Sequence, residues 1–215
     1  FLFAWRSSWS SIFHHHNLVT LHVVVLALAP AAAGFSLDDW LGRRFPQSRI
    51  LSWLRWQTLG LPAVDARWGW PLRLLSAVTV CTYLLAGLAK VTGEAGLAWA
   101  TPEQLLGQIG RDAIKRELFH PDGATAATWW LYANREWLWG PAVLTLVAEL
   151  GAPLALLHRR IAVLWVLGAW CLHLGIWVTM DIFFPYPMVG VGFLSFFAAS
   201  YPTWRGSNSS GRNSR

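Results

Sequence analysis

Charge is scarce in this chain: 13% of its 215 residues are Asp, Glu, Lys or Arg, against 55% hydrophobic residues. That shortage excludes an ordinary soluble domain, whose surface has to be covered with charge. Lysine is the scarcest basic residue, present only as Lys90 and Lys115. The arginines are scattered through loops beside apolar stretches and form no long basic run. The net charge of +6 therefore argues for anionic lipid rather than nucleic acid as the partner. Cysteine is limited to Cys81 and Cys171, with no C-x-x-C pair. Both fall inside apolar stretches, where they are packing residues and say nothing of redox compartment. No His, Cys, Asp or Glu set has tight metal-ligand spacing; His15 and His22 share a helix face and could join His173 and Glu149, but no metal is expected. There is no internal repeat and no legible cleavable signal.

What is present is hydrocarbon-length apolar sequence. Stretches at 18–35, 72–91, 141–157, 161–180 and 183–199 approach the roughly 20 residues needed to span about 30 Å. The expected fold is all-α, a polytopic integral membrane helical bundle with about five transmembrane helices. Residues 1–200 form the transmembrane domain, and the polar 201–215 tail is expected to be disordered. Many of the 16 tryptophans, among them Trp40, Trp70, Trp99, Trp137 and Trp139, flank the stretches as interfacial belts do. Because Phe1 stands where methionine would, a fragment lacking an N-terminal span is expected.

Basic residues set the orientation. The 36–73 loop, the His158-Arg159-Arg160 turn and the tail carry eleven, and the opposite side six, so the latter is expected to be extracytoplasmic and to include Lys90. Between 47 and 70, Leu51, Trp53, Leu54 and Trp56 mix with Arg49 and Arg55, as in a helix lying in the interface; an irregular loop fits equally. On the outer side, Thr101, Pro102 and Gln104 predict a capping box. The stripe Leu105, Leu106, Ile109, Ala113 and Ile114 then predicts an amphipathic helix over the outer mouth of the bundle.

Ionisable residues inside a membrane are expensive and mark candidate sites. Ser76, Thr79, Tyr83, Gly87 and Lys90 recur at spacings of three and four, which makes one polar or small stripe on an apolar cylinder. Gly87 also permits a neighbouring helix to approach closely. Lys90 therefore points inward, although a lysine at a span end can also snorkel to the headgroups. Glu149 and His173 lie mid-stretch, where each can be a neutral, hydrogen-bonded structural group or part of a site. From the helical rise both sit roughly 12 to 14 Å below the outer surface. With His15 and Lys90 they can line one cavity, provided their helices are neighbours.

Four stretches in order resemble the horizontally transferred transmembrane domain shared with vitamin K-dependent gamma-glutamyl carboxylases: "HHHNLVTLHVVVLALAPAAAGFSLDDWLG", "YLLAGLAKV", "AELGAPLALLHRR" and "HLGIWVTMDIFFPYPMV". The resemblance covers residues from about 15 to 195 and implies a bacterial cell-membrane protein using reduced vitamin K or menaquinol. It implies that Lys90 is the catalytic base deprotonating the quinol and that His15 assists by hydrogen bonding. Tyr83, Gly87, Glu149 and His173 would line the quinol cavity. A lysine acts as a base only where burial disfavours the ammonium. His14 and Asn17 stand where the family has asparagine and an aromatic residue. The carboxylases also carry a large lumenal C-terminal domain, so carboxylation of protein glutamate implies a partner chain supplying a soluble domain. The expected function is oxygen-dependent oxidation of a reduced naphthoquinone; the alternative is a non-catalytic binding, immunity or scaffold protein with the same bundle.

Overall fold

The computed structural model describes residues 14–29, 40–41, 44–49, 69–120 and 123–198. The 50–68 part of the expected interfacial segment, the 201–215 tail and the side chain of His15 lie outside the described residues. Among the described residues the regular structure is all helical. The elements are α1 (His14–Leu28), α2 (Trp70–Thr92), α3 (Pro102–Phe119), α4 (Ala126–Ala133), α5 (Trp139–Leu150), α6 (Arg159–Met180), α7 (Pro185–Met188) and α8 (Leu194–Ala198), with short 3-10 turns between several of them.

Two of the five apolar stretches form single helices long and apolar enough to cross a membrane, α2 and α6. Proline opens α2, where its missing N–H costs nothing, and the helix runs without interruption until the Gly93 N–H closes on Ala89 O at 3.1 Å. At the start of α6, His158 Nδ1 accepts the Arg160 N–H. Asp181 ends α6 in the left-handed region, φ +53, which Asp tolerates better than most residues. The last carbonyls of α6 have no intrahelical donor, and the hydroxyls of Thr125 and Thr128 at the head of α4 donate to Val178 O and Thr179 O.

The other stretches depart from single spans, and proline is the reason for two of them. Pro153 cannot donate to the carbonyl at 149, so α5 stops at Leu150 and the chain continues as a 3-10 turn, Ala152–Leu156. Pro185, Pro187 and Gly190, with φ +77, divide the last stretch into α7, a 3-10 turn (Val191–Phe193) and α8. The first stretch is represented by α1, which begins earlier than expected, at His14, and is followed only to residue 29.

Small residues let these pieces pack on the long helices. Ala152, Ala155, Ala162 and Ala169 are fully buried where the 3-10 turn meets α2 and α6. Tyr83, Trp165 and Phe193 fill the centre edge to face, with Tyr83 and Trp165 centroids 5.0 Å apart. Trp165 Nε1 donates to Ala148 O, so the buried indole is satisfied. Outward faces are apolar instead of charged: Leu85 of α2 is 64% exposed and Leu164 of α6 70%. Contiguous apolar faces of this kind belong against lipid or a partner.

Beyond α2, α3 packs on the turns that follow α2 and precede α5, with Ile109 and Ala113 inward, Leu105 and Leu106 half-buried, and Ile114 turned outward, contrary to the predicted stripe. The capping box does not form. Thr101 occupies the cap and Pro102 the first turn, but the Thr101 hydroxyl turns back to Ala98 O at 2.8 Å. Glu103 is held below the usual carboxylate range by its own backbone N–H and by Thr101. An Arg116 to Asp181 ion pair fastens α3 to the end of α6.

Candidate functional site

The polar stripe of α2 faces inward along its length. Ser76, Thr79, Tyr83 and Gly87 are all buried, and Lys90 is largely covered, at 21% side-chain exposure. Ser76 meets α8, Thr79 meets α1, Tyr83 meets α6, and Gly87 and Lys90 both face α5, so one helix face organises the polar interior.

At the C-terminal end of α2 the Lys90 ammonium hydrogen-bonds Glu149 Oε1 on α5. Glycine at 87 makes the pair possible: a Cβ there would stand 2.9 Å from Glu149 Cβ and 3.0 Å from the Leu150 side chain. Without that atom α5 comes close enough for the carboxylate to lie under the lysine. The third partner is Trp99, in the 3-10 turn Gly96–Ala100, with its ring centroid 5.5 Å from Nζ. Glu149 is 6% exposed, and its Oε2 is the one buried side-chain oxygen or nitrogen without a hydrogen-bond partner among the described residues. An unpaired buried acceptor is costly, and such groups are rare in folded chains.

One turn below Gly87, and about two below Lys90, Tyr83 Oη stands 3.4 Å from His173 Nδ1, whose closer neighbour is Ala169 O at 2.9 Å. A carbonyl only accepts, so Nδ1 carries a proton, and in the neutral ring Nε2 keeps its lone pair. Phe184 packs edge-on against this imidazole at 5.1 Å.

The inner part of the stripe is closed. Thr79 Oγ1 has one proton, which Leu75 O at 3.0 Å and Gly192 O at 3.3 Å share. It therefore accepts from His22 Nε2–H at 3.1 Å, leaving Nδ1 to accept from the Tyr186 hydroxyl at 2.5 Å. Ser76 donates to Leu72 O, 3.0 Å away, and meets Ser195 Oγ at 2.9 Å. Every polar side-chain atom of this knot has a partner.

Of the sequence candidates, Lys90, Gly87 and Glu149 come together, and Tyr83 and His173 come together one turn below on the same face. The side chain of His15 lies outside the described residues, whereas His22 of the same helix is buried against Thr79. Sequence gives neither Trp99 nor Tyr186 this role: Trp99 reads as one more belt tryptophan, and Tyr186 carries no periodic signal because it lies in the proline-broken segment. Among the described residues no three His, Cys, Asp or Glu side chains converge as they would around a metal ion.

Comparison with protein-family models, with curated proteins and with solved structures returns no match. The described residues are all helical in their regular structure, with two helices able to cross a membrane and, along one of them, a polar seam ending in a largely covered lysine paired with a buried carboxylate.

Proposed function

We propose that this chain is an integral membrane bundle of about five spans, similar to the transmembrane part of vitamin K-dependent carboxylases, in which Lys90 acts as a base on a reduced naphthoquinone. What carries the proposal is the Lys90 and Glu149 pair. A lysine that merely anchored a helix end would reach for headgroups, but this one turns into the bundle against a carboxylate with a free oxygen. The proposed span count rests on apolar length, with α5 plus its 3-10 turn and the α7 to α8 segment crossing as broken helices; such backbone is tolerated at membrane depth where it packs against protein.

The seam fits a quinol by its donor set: an acceptor at Glu149 Oε2, a cation at Lys90 and aromatic surfaces at Trp99 and Tyr83. When bound, a reduced naphthoquinone supplies the electrons that reduce oxygen. Lys90 and Glu149 handle the proton. The Lys90 ammonium passes one proton to Glu149, which leaves an amine at Nζ and a neutral acid at 149; the amine then takes a hydroxyl proton and the ammonium reforms beside the oxyanion. Tyr83 and His173 line the floor, and His15 is proposed to stabilise the oxyanion. Carboxylation of protein glutamate would require a partner chain with a soluble domain. The Lys90 side is proposed to be extracytoplasmic in a bacterial cell membrane containing anionic lipid.

A non-catalytic binding, immunity or scaffold role has one observation in its favour: Lys90 and Glu149 already partner each other and tie α2 to α5. Oxygen consumption by purified protein supplied with reduced menaquinone separates the two. Uptake in wild type that vanishes in Lys90→Arg supports the base, since arginine keeps the charge and cannot release a proton. No uptake by folded wild type assigns the pair to structure.

A further inference from the structure

The orphaned oxygen of Glu149 carries chemical information about what it binds. Oε1 holds the Lys90 ammonium, and Oε2 is buried without a donor. An ionised carboxylate has no proton to give, so whatever completes Oε2 has to present an N–H or O–H. The open edge of the pair is Lys90, 21% exposed on a flexible four-carbon stem, and the flat indole of Trp99 stands beside it. A ligand that approached Oε2 from this edge would meet the indole of Trp99.

We propose that Glu149 Oε2 is the acceptor by which the site selects the reduced over the oxidised form of a naphthoquinone. This rests on the quinol assignment made above for the same site. A hydroquinone hydroxyl donates to Oε2 and closes the unsatisfied position. A quinone offers only carbonyl oxygens, which meet the carboxylate lone pair to lone pair and leave it unsatisfied. Sites that hydrogen-bond a hydroxyl reject analogues lacking it far more strongly than apolar pockets reject a missing methylene.

The test is binding, read apart from turnover. Detergent-purified protein is dialysed to equilibrium under argon against menadiol, menadione and the dimethyl ether of menadiol, which keeps the reduced ring and has no O–H. Wild type binds menadiol about tenfold or more tighter than either of the others, the difference one hydrogen bond to a charged group supplies. Glu149→Gln, whose amide offers a donor and an acceptor, binds menadiol and menadione to within about threefold. Equal wild-type affinity for menadiol and its ether overturns the selection through Oε2 and leaves the quinol site standing, as does an undiminished preference in Glu149→Gln. Binding of none of the three to folded wild type overturns the quinol site and the selection together. Should Glu149→Gln fail to fold, the wild-type comparison of menadiol with its ether decides alone.

Discussion

The two ends of the α2 stripe solve the same physical problem in opposite ways. At the inner end, Ser76 and Thr79 meet Ser195, His22 and Tyr186, all of them groups that can stay neutral, and every polar atom finds a partner. At the outer end, Lys90 and Glu149 bring an acid and a base together and leave Oε2 open. A closed neutral network holds helices in register and has nothing left to offer a ligand. The Lys90 and Glu149 pair leaves one buried acceptor unfilled, which costs stability. The contrast teaches where to look in an apolar bundle: the telling feature is the polar group left incomplete, while polar groups as such belong equally to the scaffold.

The largest effect should come from breaking the outer pair on one side only. Lys90→Met leaves the Glu149 carboxylate buried with no cation, and a loss of about 3–5 kcal/mol is expected in reversible detergent unfolding. The double change Lys90→Met, Glu149→Leu should recover most of that loss, because the pair is replaced by apolar volume. Recovery would show that the pair contributes no net stability over apolar packing, which is the sharp form of the comparison.

Next comes Gly87→Ala. A methyl group 2.9 Å from Glu149 Cβ pushes α5 off α2, for about 1–3 kcal/mol of destabilisation in the same assay. It should also diminish turnover with reduced menaquinone more than any equally destabilising change in the inner knot, since it moves the carboxylate itself. Thr79→Val belongs to that inner knot. It removes the acceptor of His22 Nε2–H and should cost about 1 kcal/mol, the modest scale of hydrogen bonds between helices in apolar surroundings. Oxygen consumption that survives Thr79→Val and fails in Gly87→Ala would confirm the division of the stripe.

How much of this was written in the chain follows from the range of each interaction. The inward stripe was legible because residues 76, 79, 83, 87 and 90 are tied by helical periodicity alone. That Lys90 meets Glu149 was not, since the two lie 59 residues apart and their contact depends on which helices become neighbours. Hydropathy overstated the continuity of 141–157 and 183–199, although Pro153, Pro185 and Pro187 stand in plain sight: a window average dilutes a proline among its apolar neighbours and takes no account of the N–H it lacks. Trp99 shows the converse limit. Its position at a span end is what an interfacial belt requires, and only the fold turns its ring toward Lys90.

The smallest effect concerns a third kind of charge, one that is exposed. Glu103 in the first turn of α3 has its carboxyl held below the usual carboxylate range by its own backbone N–H and by Thr101. A depressed folded value means that the ionised form is favoured by folding, so its contribution is complete above the unfolded carboxylate range and is lost as pH falls through the folded value. Hydrogen exchange of the amides in the first turn of α3 should therefore accelerate, after correction for intrinsic rates, by about twofold to fivefold between pH 7 and pH 3. In Glu103→Gln that dependence should flatten, because the amide does not titrate. The outer pair responds to the same acid differently: protonating Glu149 removes the counterion of a lysine inside the bundle, so loosening there would spread to the α2 and α5 contact instead of staying at a helix start. Acid-induced exchange confined to α3 in wild type and absent in Glu103→Gln assigns the first response to the cap; exchange that also rises around Gly87 and Leu150 in both proteins assigns the second to the pair.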